Sequence, residues 1–388
     1  MATQVCQALS EYWPGQELMS EKVRPIPAMP RVSVLMAAYN AERYVDQAIE
    51  SLLAQTYQNW ELIVVDDGST DSTPIRLQAW AERDSRIRFY RNNHNLGIGP
   101  TRQRALDLAR GTYAAILDSD DIALPEWLAA RVDHLDHHPE VVVVSGSRIV
   151  IDESGKRVCV IHEGGSPEVL HWRLLFGNPV SQPSCMFRVA EAGQVGGYIT
   201  EPYLEDWDLF VKLSELGQIE HVNVALMMYR VHPSKASLRI GTNRELLEPV
   251  ATRIMCRTVK SATGLTVPTE LVWYLFRGRY VFRGNRRESQ RALDFVLQAH
   301  RAFAEENNLG SQSTAVGATA IEDAVNVLRC GGWSPLQAVK ALASIISCAG
   351  ISTLLSPVGS RGAIKLLLAP VRQARSCAAW LNLKSESG

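Results

Sequence analysis

From Arg31 onward, hydrophobic and polar positions alternate between two periods. Residues 31–38 (R-V-S-V-L-M-A-A) form a nearly continuous apolar run, the pattern of a strand covered on both faces. Tyr44, Val45, Ala48, Ile49, Leu52 and Leu53 then recur at helical spacing, with Asn40 as the expected N-cap. A second strand is predicted over 60–65, and Thr73 with Pro74 supplies an N-cap and first-turn proline for the next helix. A strand over 87–91, a helix through 102–109 and a strand over 113–117 repeat the unit. Strands alternating with short helices predict an α/β fold with a largely parallel, doubly wound sheet.

The pattern changes after residue 125. A helix to about His137, a strand over 141–145 and a hairpin turning at Glu153-Ser154-Gly155-Lys156 are expected, then a helix over 167–176. A polar, proline-punctuated loop over 178–184 leads into a strand at 185–189. A helix opened by 201–210 runs to Leu216, a strand covers 222–229, and helical patterns take over from about Gly241. The expected domains are an irregular leader (1–30), an α/β domain (31–240) and a helical C-terminal region (241–388).

Candidate chemistry lies where predicted strands end. Leu117-Asp118-Ser119-Asp120-Asp121 gathers carboxylates at the exit of strand 113–117, and open α/β sheets bind ligands at that edge. Carboxylates so close repel one another unless neutralised. Hard oxygen donors suit Mg²⁺ or Mn²⁺ shared with substrate phosphates, the alternative being a solvated acidic turn. Asp66 and Asp67 end strand 60–65 and would face the same crevice. Gly97-Ile98-Gly99 imitates the opening of a dinucleotide fingerprint, but Arg102 holds the third glycine position and the preceding Asn92-Asn93-His94-Asn95 is a turn, so NAD is not expected.

Charge narrows the partners. Lys plus Arg (40) nearly balance Asp plus Glu (41), which gives no polyanion signature and makes nucleic acid an unexpected partner. The 7 cysteines are odd in number and lack any C-x-x-C, so neither a disulfide framework nor a zinc site is indicated and a cytoplasmic location is expected. The N-terminus lacks the pattern of a secretory signal. Residues 341–360 carry no charge but are too rich in Ser, Gly and Thr for a spanning helix, and 361–384 mix leucines with Lys365, Arg372 and Arg375. Residues 341–384 are thus expected either to make peripheral contact with the inner face of the plasma membrane or to pack on the α/β domain.

The ordered set V-S-V-L-M-A-A-Y-N, S-L-L-A-Q-T-Y-Q-N-W-E-L-I-V-V-D-D-G-S-T-D, N-L-G-I-G-P-T-R-Q-R-A, G-T-Y-A-A-I-L-D-S-D-D, E-D-W-D-L-F and Y-R-V-H resembles the inverting family 2 glycosyltransferases over roughly residues 31–240. The departures are Ala37-Ala38, where a proline or threonine often stands, and Gln103 in place of a frequent asparagine. The resemblance implies a GT-A fold and a nucleotide-diphosphate sugar donor, with a UDP-sugar favoured. It implies that Ala37, Tyr39 and Glu42 border the nucleotide and that Asp67 accepts a hydrogen bond from the base. Tyr39 could equally be a core aromatic, and Arg102 either meets the donor or is a solvated helix arginine. Asp118 and Asp120 resemble the D-x-D pair, with Asp120 the direct ligand of Mg²⁺ or Mn²⁺ and Asp118 toward ribose or metal.

The same resemblance implies that Asp206 removes the proton of the acceptor hydroxyl, with Glu205 its nearest competitor, although first-turn acids are also what a helix dipole favours. Trp207 either stacks on an acceptor sugar or anchors its helix. His232 is implied to touch the metal or diphosphate, and Arg230 is expected to join it by offering a fork to phosphate oxygens. The expected activity is sugar transfer to a glycan or lipid-linked hydroxyl acceptor in the synthesis of cell-surface polysaccharide or glycoconjugate. A nucleotidyltransferase using the same carboxylate site, or a catalytically silent interaction module, is the alternative.

Overall fold

The computed structural model describes residues 29–162, 164–201, 203–235, 243–277, 286–309, 315–317 and 319–320. They fall into two compact units. One comprises the described residues up to Gly164 and from Val180 to Lys235; the other comprises Gly165–Pro179 and the described residues from Asn243 on. The readings of the leader and of 341–384 lie outside the described residues.

The first unit opens with β1 (Val32–Ala38), α1 (Val45–Leu53), β2 (Trp60–Asp66), α2 (Thr73–Arg83), β3 (Ile87–Arg91), α3 (Ile98–Asp107) and β4 (Tyr113–Ile116). β3, β2, β1 and β4 lie side by side and run parallel. Every residue of β2 and β4 is buried, as expected for strands covered on both faces. Val34, Met36, Leu62 and Val64 share one core with Val45, Ile49 and Leu52 of α1. Because the strands are parallel, the acidic segments after β2 and β4 emerge on the same edge.

The rest of the sheet is mixed. β5 (Ile122–Ala123), α4 (Trp127–His137), β6 (Val141–Ile151), β7 (Arg157–Ile161), β8 (Met186–Arg188), α6 (Val189–Gln194), α7 (Glu205–Ser214) and β9 (Gln218–Arg230) complete this unit. The sheet order is β3-β2-β1-β4-β8-β6-β9-β5, with β7 on β6. Two pairings build the site. β8 runs antiparallel to β4, which carries the preceding 3₁₀ turn Gln182–Ser184 toward the end of β4. β5 runs antiparallel to β9 (Ile122↔Met228), which lays Arg230-Val231-His232 against Asp120-Asp121.

In the second unit, α5 (Pro167–Leu174) associates with α8 (Arg244–Thr263), α9 (Val272–Arg277) and α10 (Arg286–Glu306). Trp172, fully buried, meets Phe303 edge-on at 5.6 Å and His300 at 5.7 Å between ring centroids. The Asn243 side chain caps α8 by accepting from the Leu246 amide at 3.2 Å. No helix among the described residues is long and apolar enough to cross a membrane.

Candidate active site

The β2 exit is a tightly bonded turn. Asp66 is fully buried, accepts from the Ser69 amide at 3.3 Å and pairs with Arg91 at 3.0 Å. Asp67 accepts at Oδ1 from Asn92 Nδ2 (2.7 Å) and the Leu96 amide (2.9 Å), and at Oδ2 from the Gly97 amide (2.9 Å). This residue therefore shapes the loop that enters α3. Among the described residues, one lone-pair direction on Oδ2 is left for a further donor.

Asn40 is not the cap of α1, which begins at Val45. It has φ 50°, and its side chain accepts from the Thr70 amide at 2.9 Å, tying the β1 exit to the β2 exit. Between those exits Tyr39 is 48% exposed, which removes the core-aromatic reading, and Ala37 is half-buried. Glu42 accepts from the Ser72 amide (3.0 Å) and hydroxyl (2.5 Å), bonds that hold its carboxyl below the usual range.

At the β4 exit, Asp118, Asp120 and Asp121 present oxygens all within 4.8 Å of one another. Each is already met by a base. Asp118 Oδ1 accepts from Arg102 Nη2 at 2.7 Å. Asp120 meets His232 Nε2 at 2.8 Å and Lys235 Nζ at 2.9 Å. Asp121 Oδ1 accepts from Lys235 Nζ at 2.9 Å and from the Arg230 amide at 2.8 Å, while its Oδ2 is buried without a partner among the described residues. Burial alone would raise the Asp120 carboxyl, but Lys235 and His232 outweigh it and hold that group well below the usual carboxylate range. Asp121 goes the other way: burial pushes it up against the pull of Lys235, and Asp120 and Asp118 add to the rise.

The Arg230 guanidinium is no phosphate fork. It is 2% exposed, with Nε on the Asp120 carbonyl (2.9 Å), Nη2 on Gln47 Oε1 (2.8 Å) and Nη1 facing the Asp152 and Glu153 carbonyls, so its donors are spent on the scaffold. His232 reaches the cluster through Asp120, a contact of the kind that orients a ligating carboxylate.

The other half of the site forms where α3 meets the start of α7. Gly99 makes this approach possible: a Cβ there would lie 2.6 Å from the Ile199 carbonyl and 3.5 Å from Glu205 Cβ. Arg102, buried one turn further on, directs Nη1 to Glu205 Oε1 and to Gln182 Oε1 (2.5 Å), and Nη2 to Asp118. It is thus a buried bridge, not a solvated helix arginine. Burial would lower its pKa, yet Asp118 and Glu205 more than reverse this and leave the guanidinium firmly charged. Burial raises the Glu205 carboxyl to about 7 despite Arg102, with Asp206 adding to the rise. Tyr203 (φ 73°) and Leu204 (φ 60°) enter α7 in left-handed conformation, the kind of backbone strain that persists at functional sites.

Asp206 is partly exposed and its Oδ1 accepts from the Trp207 amide at 2.7 Å. Trp207 is completely buried, so it anchors α7 in the core and offers no ring face to an acceptor sugar. The expected acceptor contact is corrected accordingly: residue 207 is buried in the core while its neighbour 206 stays partly exposed.

The acidic cluster fits a divalent cation, because its donors are hard oxygens and the Asp121 Oδ2 atom is buried without a partner among the described residues. Sequence reasoning missed Lys235 and Gln182. Lys235 was detectable as a basic residue three positions beyond His232, just after the strand that pairs with β5. Gln182 lies in the polar loop that was singled out, yet nothing local distinguishes it from its neighbours.

With this geometry, residues 33–188 match the family described as glycosyl transferase family 2. The chain is 33% identical over 218 residues to an uncharacterized glycosyltransferase of Haemophilus influenzae, covering 54% of this chain and 68% of that protein. It is 42% identical over 102 residues, 26% of this chain and 38% of that protein, to the Escherichia coli UDP-Glc:alpha-D-GlcNAc-diphosphoundecaprenol beta-1,3-glucosyltransferase WfgD. Residues 1–349 of S. aureus TarS in complex with UDP-GlcNAc share the fold with a TM-score of 0.55 at 20% identity, covering 86% of this chain and 92% of that one. The chain belongs to glycosyl transferase family 2. It is a glycosyltransferase of the GT-A fold, with relatives in polysaccharide synthesis.

Proposed function

We propose that this enzyme transfers a sugar with inversion from a nucleotide-diphosphate sugar, a UDP-sugar first among them, to a hydroxyl of a glycan or lipid-linked acceptor during assembly of a cell-surface polysaccharide or glycoconjugate. The observation that carries this reading is Arg102, which joins Asp118 at the acidic strand end to Glu205 beside Asp206. Donor-side and acceptor-side acids are thereby parts of one buried network. The resemblance to WfgD, whose name specifies UDP-Glc and a diphosphoundecaprenol-linked acceptor, supports the donor and acceptor classes.

In this reading Tyr39, Ala37, Glu42 and the free lone pair of Asp67 receive the nucleotide. Asp118 and Asp120 lie at the diphosphate, with His232 orienting Asp120. When bound there, Mg²⁺ or Mn²⁺ supplies neutralisation of the diphosphate and makes it a better leaving group. Asp206 takes the proton from the acceptor hydroxyl as its oxygen bonds to the anomeric carbon from the face opposite the departing diphosphate. The C–O bond to the diphosphate breaks, and nucleoside diphosphate leaves. Glu205, held by Arg102, fixes the first turn of α7 and keeps Asp206 in place.

The test is a product assay with a panel of nucleotide-sugars. Release of nucleoside diphosphate with an inverted anomeric centre in the product supports the reading, whereas release of pyrophosphate overturns it. The membrane contact of residues 341–384 belongs to the same proposal. It predicts that full-length chain sediments with anionic vesicles and that a chain ending at Gly332 does not; equal partitioning would overturn it.

A further inference from the structure

The Asp120–Asp121 pair already holds a cation that comes from the protein itself. Lys235 Nζ lies 2.9 Å from Asp120 Oδ1 and 2.9 Å from Asp121 Oδ1, and 3.9 Å from the centre of the Tyr229 ring. Lys235 is only 7% exposed, so this ammonium is a buried occupant and not a surface charge passing by. It binds Oδ1 of each acid and, among the described residues, leaves Asp121 Oδ2 buried with no partner, so a larger charge would find an acceptor that the lysine does not use.

We propose that Lys235 is the resident counter-ion of the Asp120–Asp121 pair and that a divalent cation reaches these carboxylates only by displacing it, so that the metal enters together with a diphosphate and not ahead of it. The inference rests on reading the cluster as a metal–diphosphate site. An ammonium and a divalent cation do not sit together on these two acids, whichever oxygens each uses, because their like charges would stand within a few ångströms in a poorly screened place. Expelling the ammonium with nothing to receive it would leave a buried charge without a partner. A diphosphate removes that obstacle, since its oxygens accept hydrogen bonds from an ammonium as readily as carboxylates do. Arg102 cannot take over the role, because its guanidinium is committed to Asp118, Glu205 and Gln182.

The experiment is a titration of the full chain with Mn²⁺, followed by calorimetry and by the loss of free-Mn²⁺ paramagnetic signal, alone and with saturating UDP, or GDP should UDP not bind. In the parent chain the nucleotide should tighten Mn²⁺ binding by about 5–150-fold, the usual span of coupling between two ligands. Lys235→Met should bind Mn²⁺ alone about tenfold more tightly than the parent, and the nucleotide should add little. Lys235→Gln, which keeps a hydrogen-bond donor without the charge, should behave the same way and guards against a packing defect in the first variant. Lys235→Met should also melt earlier than the parent without metal and recover with Mn²⁺. Unchanged or weaker Mn²⁺ affinity in both variants, or coupling to the nucleotide that survives in them, would overturn the role of Lys235 while leaving the metal site standing. Nucleotide binding by the parent with no Mn²⁺ uptake under either condition would overturn the metal site itself, and this inference with it.

Discussion

Arg102 and Glu205 form an ion pair between residues 103 positions apart, with side chains only 7% and 6% exposed. The same guanidinium holds Asp118 at 2.7 Å. A planar fork can address carboxylates on two sides at once, which a lysine ammonium on a flexible stem does less well. The acidic end of β4 and the first turn of α7 are therefore tied into one electrostatic unit.

Removing that fork should be costly. Arg102→Met fills similar space but leaves Asp118 and Glu205 without their partner, and breaking a buried pair from one side costs about 3–5 kcal/mol. Denaturant unfolding should show a loss of this size together with loss of transfer activity. Arg102→Lys, able to serve one acid at a time, should fall between the two. A midpoint for Arg102→Met equal to the parent's would show that the pair contributes nothing to stability.

Acid sensitivity should trace to Glu61, far from the candidate metal site. It is fully buried and accepts from Arg110 Nη2 (2.7 Å), Ser33 Oγ (2.8 Å) and Arg88 Nη1 (2.9 Å). Burial would raise this carboxyl, but Arg110, Ser33 and Arg88 outweigh it and hold the pKa below its ordinary 4.5. A depressed folded-state pKa gives stability that is present above the unfolded value and is lost as pH falls through the folded one. Melting temperature in the parent should therefore drop on acidification below about pH 4.5. Glu61→Gln should be less stable at pH 7 by about 1–3 kcal/mol and show a shallower acid limb. Parallel acid limbs in the two proteins would remove Glu61 from this role.

Trp207 offers a test of buried against exposed. Trp207→Ala should cost about 3–5 kcal/mol through lost burial and a residual cavity. Trp207→Phe should cost less and leave the acceptor KM unchanged, because the ring faces the core. A large rise in acceptor KM for Trp207→Phe without loss of stability would return the residue to the binding surface.

The parallel half of the sheet was legible because strands covered on both faces carry apolar residues at nearly every position: 87–91 was placed to the residue, and β1, β2 and β4 within one. The polar Ser145-Gly146-Ser147 stretch was misread as a break between a strand and a hairpin. In the fold it lies inside the single strand β6, where Ser145 Oγ donates to the Glu220 carbonyl (3.3 Å) and Ser147 Oγ to Asn223 Oδ1 (3.2 Å). Asn40 misled in the same way, since a short polar residue before a helix reads as a cap unless the distant Thr70 amide is known. The candidate acids were visible because they cluster locally. Their pairings were not: Arg102 reaches Glu205 and Lys235 reaches Asp120 and Asp121 across 103 to 115 positions, Gln182 braces Arg102 from a distant loop, and no local period encodes such pairing.

The assignment of the base follows from how differently two neighbouring acids are held. Glu205 is buried and fastened to Arg102, whereas Asp206 is partly exposed beside it in the first turn of α7. A group that takes a proton from an incoming hydroxyl must be reachable, and Glu205 is less so. Asp206→Asn keeps shape and hydrogen bonding but loses basicity, so turnover should fall by about 10²–10⁴-fold while donor affinity barely changes. Glu205→Gln should act through structure: it weakens the hold on Arg102, lowers the melting temperature and reduces turnover less than Asp206→Asn. Rate and binding must be measured together, because loss of kcat with intact donor binding marks a group that acts in the transition state. If Glu205→Gln is inactive at parental stability while Asp206→Asn keeps near-parental turnover, the two roles are exchanged. If both variants stay active, the base lies outside α7.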